Sequence, residues 1–123
     1  MKIHRLLSIL LLTLPLGVMS AEKRCGWLEN PSPANLWLID SDSEWTISIQ
    51  GRGFADEASM EKMPVIDENE FVRTNGNYGF SCVCLDVKTD KQSSEVLEVY
   101  GGEQLLLKKC LEDPGIYNKI PLR

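Results

Sequence analysis

Trp45-Thr46-Ile47-Ser48-Ile49-Gln50 alternates apolar and polar residues without a fault. That two-residue period predicts a strand with Trp45, Ile47 and Ile49 on one buried face. Leu36 to Ile39 is a short apolar run upstream, and the polar stretch Asp40 to Glu44 joins the two as a hairpin. A second hairpin is predicted from Phe71-Val72-Arg73 and Tyr78 to Thr89 around Asn75-Gly76-Asn77, since Asn and Gly both tolerate positive φ. Its second arm is apolar at both parities, with Tyr78, Phe80, Cys82 and Cys84 on one face and Val83, Leu85 and Val87 on the other. A strand covered on both faces belongs at the centre of a fold. Glu95 to Tyr100, then Gln104 to Cys110 beyond Gly101-Gly102, supply the remaining strands.

Elsewhere the pattern is punctuation. Cys25 to Asn35 carries Pro31 and Pro33 among Asn and Ser, which predicts a rigid extended or turned loop. Between Gly51 and Glu70, Ala55 to Met63 has room for about two helical turns before Pro64. The acids of that segment face only Arg52 and Lys62, as expected of a solvated loop. The tail from Glu112, with Pro114 and Pro121, is expected to fray. The sum is an all-β fold, a small barrel or sandwich of about six short strands with at most one short helix.

The amino terminus belongs to a different class of segment. Lys2, His4 and Arg5 precede the largely apolar Leu6 to Leu16, and small residues close the run at Ser20 and Ala21. This is the layout of a secretory signal peptide over residues 1–20, too short for a membrane anchor and with Pro15 near its end. A lipid anchor needs a cysteine at the cut, and Cys25 lies too far along. A single domain, residues 21–123, is then expected in the periplasm or outside the cell, with no stable membrane anchor.

Removing the signal changes the charge and the chemistry. Without Lys2 and Arg5 the basic residues fall from 13 to 11 against 18 acids, a net charge of −7. Such a surface repels phosphate backbones, so nucleic acid is not an expected partner. His4 is the one histidine and leaves with the signal, which excludes imidazole as a base or a metal ligand.

Four cysteines in an exported chain argue for two disulfides. Cys82 and Cys84 point to the same face of one strand, and a bond between them would distort it. Each therefore takes a partner from one end of the domain, and proximity along the chain suggests Cys25–Cys82 and Cys84–Cys110. A thiolate metal site lacks paired knuckles, and a redox pair belongs at a helix start rather than in mid-strand. No metal and no cofactor are expected.

The residues Arg24-Cys25-Gly26-Trp27, Asn30-Pro31-Ser32-Pro33-Ala34-Asn35-Leu36-Trp37-Leu38, Trp45, Gln50-Gly51, Tyr78-Gly79-Phe80-Ser81-Cys82-Val83-Cys84 and Cys110 together resemble the domain family DUF4087. The resemblance spans nearly the whole mature chain. It departs at Ser43-Glu44, where the family pattern favours an Asp-Gly turn before the tryptophan. What it implies is bacterial origin and export; it implies no activity and no catalytic residues.

Candidate chemistry is sparse. Asp40, Asp42 and Glu44 alternate like calcium ligands, but Trp45 stands where such a loop needs glycine. Trp27, Trp37 and Trp45 suit a core, with Trp37 the one expected on the outer face. The leading expectation is a non-catalytic binding or inhibitory module for a periplasmic protein or glycan, carried on a disulfide-stabilised scaffold. Its expected binding surface is Asn30, Pro31, Pro33, Asn35, Trp37 and Arg52. The alternative is a hydrolase that attacks envelope polymers with paired carboxylates.

Overall fold

The computed structural model describes residues 21–122. The expected signal segment lies outside the described residues. Seven strands, two short helices and one 3₁₀ turn make up the described part. In chain order these are β1 (Glu22–Ser32), β2 (Asn35–Ile39), β3 (Glu44–Ile49), β4 (Gly53–Phe54), α1 (Ser59–Lys62), the 3₁₀ turn Glu68–Glu70, β5 (Phe71–Asn75), β6 (Tyr78–Asp90), β7 (Glu95–Leu105) and α2 (Leu107–Leu111).

Strand order runs β1-β2-β3-β7-β6, and β6 pairs back onto β1. The sheet therefore closes on itself, the barrel option rather than two packed sheets. Closure depends on a short parallel seam, where Thr46 of β3 pairs with Glu95 of β7 and its N–H donates to the Ser94 carbonyl at 2.9 Å. β5 extends the sheet past the end of β7, on the same edge of β6.

Alternation along these strands builds two cores. Leu28, Leu38, Trp45, Ile47, Val83, Leu85, Val87, Val96 and Val99 fill the interior. Trp27, Ile39, Phe80 and Cys82 emerge on the outer face, where Cys110 and Ile116 cover them. Trp27 meets Phe80 edge to face at 5.4 Å, and its indole N–H donates to the Ile116 carbonyl at 2.8 Å. The two-faced reading of β6 is what permits this second core. Each of its large side chains contributes on the order of 1.5–3 kcal/mol by leaving water.

Four expectations are corrected here. Cys25 to Ser32 is not a loop but most of the long strand β1, with Pro31 confined to its last two residues. A proline is tolerated there because the ladder with β6 ends at Asn30. Leu107 to Leu111 is helical rather than extended, so the described residues hold two short helices and not one at most. Leu107 and Cys110, three residues apart, both face the outer core, a spacing only a helix provides. From Glu112 to Ile120 the tail is packed rather than frayed, because Ile116 is 1 % exposed, Ile120 packs on the outer core and the Lys119 ammonium donates to the Asp40 carbonyl at 3.1 Å.

The fourth correction is the disulfide pairing. The bonds are Cys25–Cys84 and Cys82–Cys110, not Cys25–Cys82 and Cys84–Cys110. The antiparallel register decides it: Cys25 stands directly opposite Cys84, whereas Cys82 stands opposite Trp27. Cys82 is thereby left to α2, which lies over the outer core. Both ends of the domain are still tied to one central strand.

Candidate functional site

The two ends of the barrel differ in chemistry. At one end Arg24, 9 % exposed, donates to Asp40 at 2.9 Å and Asp42 at 3.0 Å, and pairs with Glu22 at 2.8 Å. Its guanidinium lies 4.1 Å from the centre of the Trp45 ring. Asp40 accepts from the Trp45 indole and from the backbone N–H groups of Asp42 and Ser43, each at 2.9 Å. Burial pushes the Asp40 carboxyl up, but the Trp45, Ser43, Arg24 and Asp42 donors outweigh it and hold it below the ordinary aspartate value. Burial also opposes the Arg24 charge, and its three carboxylate partners more than offset that. A hollow of about 340 Å³ opens beside this cluster. Arg24, Asp40, Asp42 and Glu22 spend their polar groups on one another, so the cluster acts as a plug at this end of the barrel. The calcium-like alternation of Asp40 and Asp42 is thus a set of ligands for an arginine.

At the other end lies a hollow of about 300 Å³. Leu28, Leu36, Met63, Ile66 and Phe71 supply its apolar wall, and Asn30, Glu68, Arg73, Asn77 and Ser81 its polar groups. Three strands position them in two rows. Leu28 of β1 and Phe71 of β5 both stand opposite Ser81 of β6; one step outward, Asn30 and Arg73 both stand opposite Gly79. Gly79 is required there, because a Cβ would run into the Val72 carbonyl of β5.

Ser81 shares its parity with Val83, Leu85 and Val87, so its side chain points inward. It is 1 % exposed, and its Oγ is the buried side-chain polar atom left without a hydrogen-bond partner among the described residues. Such an atom costs on the order of 1–3 kcal/mol of desolvation. Asn30 spends both amide hydrogens on the carbonyls of Ser32 and Asn35, at 3.0 and 2.7 Å. What it has left to offer is its carbonyl oxygen. Arg73 donates to the Asn77 side-chain oxygen Oδ1 at 3.1 Å and reaches the exposed Glu68 at 3.5 Å.

Of the residues expected to form a binding surface, Asn30 alone lines this hollow. Asn35 is structural in its contacts, donating to the Ser32 hydroxyl and accepting from the Gln50 N–H. Pro31 and Pro33 belong to the β1–β2 tip, with the Pro31 carbonyl held by the Asn75 amide at 3.2 Å. Trp37 is half-buried on the outer parity, opposite Glu29 and Thr46. Arg52 is exposed elsewhere and pairs with Glu95 at 3.4 Å. Phe71, Arg73 and Ser81 had no place in the expected surface. The signal for Ser81 was available: it is the one polar residue at an inward position of an otherwise apolar run.

Among the described residues no group of His, Cys, Asp or Glu is placed to hold a metal ion, and no helix is long and apolar enough to cross a membrane. No curated protein and no solved structure matches the chain. A family model described as a protein of unknown function, DUF4087, matches residues 19–117, a span that includes every strand of the described residues, all four cysteines and the whole lining of the hollow. The chain therefore belongs to the DUF4087 family.

Proposed function

We propose that this protein is an exported, non-catalytic binding module, and that the hollow between β1, β5, β6 and the Met63–Ile66 segment is its ligand seat. The observation that carries the reading is the Ser81 hydroxyl, left unpaired in a hollow with an apolar wall and amide, guanidinium and carboxylate groups in its lining. A few polar groups converging on an apolar cavity is the usual composition of a small-ligand site. Two disulfides and a closed sheet hold that site on rigid elements. Disulfide bonding also agrees with an oxidising compartment, for which the periplasm is the reading the amino-terminal segment supports.

Strand order offers a fold-level analogy. Counting the five circuit strands alone, the order 1-2-3-5-4-1 with one parallel pairing is that of OB-type barrels, which serve mainly as binding scaffolds. The hydrolase alternative asks for two carboxylates across a cleft, and Glu68 is the one carboxylate among the residues lining the hollow.

The test is a two-dimensional amide NMR screen of the oxidised protein against small amphipathic fragments. Shifts should gather on Leu28, Phe71, Arg73 and Ser81. Shifts gathered on Arg24 and Trp45, or scattered without focus, would contradict the assignment.

A further inference from the structure

Resting on that ligand seat, we propose that its occupant is the tyrosine side chain of an extended peptide from a partner protein. The hollow offers hydrogen-bonding groups at two depths. Ser81 lies one inward position below the row of Asn30 and Arg73. Two residues along a strand make that step about 6–7 Å. Around Ser81 the wall is apolar, from Leu28 and Phe71 at its own level, and Leu36 and Ile66 also line the hollow. The matching ligand has a polar tip, an apolar shaft of that length and polar groups at its base.

Charge selects among such ligands. A buried cation or anion facing one hydroxyl would lack a counter-charge and lose its hydration. The tip is therefore neutral. A phenol hydroxyl both donates and accepts, as the Ser81 hydroxyl does, and its ring suits the aromatic and aliphatic wall. At the base, the Asn30 carbonyl oxygen accepts and the Arg73 guanidinium donates. A peptide backbone supplies the complementary N–H and C=O.

Two further features favour a peptide over a free small molecule. β5 ends the strand order, and its outer edge pairs with no strand among the described residues. Such an edge is a template for an added strand. Val65 is 95 % exposed between Pro64 and Ile66, both of which line the hollow. An apolar side chain held out at the rim gives a partner chain a contact beyond the seat itself. The Ser81 hydroxyl is covered in the free protein, so entry requires a wall to give. Met63, unbranched and with three rotatable bonds, is the wall able to do so.

The experiment titrates the oxidised protein with N-acetyl-tyrosinamide, N-acetyl-phenylalaninamide and methyl α-glucopyranoside, read by amide NMR. The tyrosine probe should shift Leu28, Phe71 and Ser81 and bind about five-fold or more tightly than the phenylalanine probe, the factor one neutral hydrogen bond supplies. In Ser81→Ala the two probes should bind equally, and in Arg73→Gln both should weaken alike. Equal binding of the two probes by the wild type, which needs no variant, would overturn the tyrosine proposal. So would preference for the glucoside. Both outcomes leave the hollow as a site, whereas no shift there with any probe would overturn the site itself.

Discussion

Cys25 and Cys84 stand directly opposite each other across β1 and β6, their Cα atoms 4.0 Å apart. Cys82, two residues along the same face of β6, reaches instead to Cys110 of α2, with Cα atoms 5.9 Å apart. Peptide mapping of the non-reduced protein should therefore recover Cys25–Cys84 and Cys82–Cys110. Linked peptides joining Cys25 to Cys82 would refute the β1–β6 register. Removing Cys82–Cys110 by a paired alanine substitution should cost about 2–4 kcal/mol in denaturant unfolding.

Acid sensitivity should trace to Asp40. Its folded carboxyl titrates below its unfolded value, so its contribution is present above the unfolded pKa, near 4, and is lost as pH falls through the folded one. Unfolding free energy should therefore fall on acidification below about pH 4, and Asp40→Asn should flatten that fall. Asp40→Ala should cost about 3 kcal/mol at neutral pH, because Arg24 stays buried with only the more exposed Glu22 and Asp42 as partners. A variant as stable as the wild type would show that the cluster is not a structural plug.

The carboxy-terminal segment should behave as core. Ile116→Ala removes a fully buried side chain and loosens the acceptor of the Trp27 indole, and should cost about 2–4 kcal/mol. Trp27 fluorescence reports the same event, since truncation before Asp113 exposes its ring. Unchanged stability and emission after truncation would restore the frayed-tail expectation.

How far the sequence discloses this molecule follows from where each signal resides. β3, β5 and β6 are visible because alternation and the Asn75-Gly76 turn are local. The double-sided burial of β6 is equally local, and it foretells a cover on its outer face without saying what the cover is. The disulfide pairing is not local: Cys25 meets Cys84 because of a register between strands separated by 59 positions. Leu105 to Cys110 has an apolar content that suits a strand, yet it is helical from Leu107, and the helix carries Cys110 to Cys82. Pro114 and Pro121 suggest a loose end, but Ile116 and Ile120 are apolar residues with an uncovered Trp27 and Ile39 to bury. At the site, Asn30 draws notice as part of a polar, proline-rich segment. Phe71 and Arg73 look like ordinary strand residues until the pairing of β5 with β6 sets them beside Ser81.

The proposed ligand seat requires that Ser81 is kept unpaired for a ligand rather than for the fold. The most direct test measures Ser81→Ala and wild type side by side, for unfolding free energy in urea and for affinity toward N-acetyl-tyrosinamide. Removing an unsatisfied buried hydroxyl should leave stability unchanged or raise it by about 1 kcal/mol, while affinity falls about five-fold or more. Lost stability together with unchanged affinity would contradict the account, making Ser81 a structural residue and the hollow a packing defect.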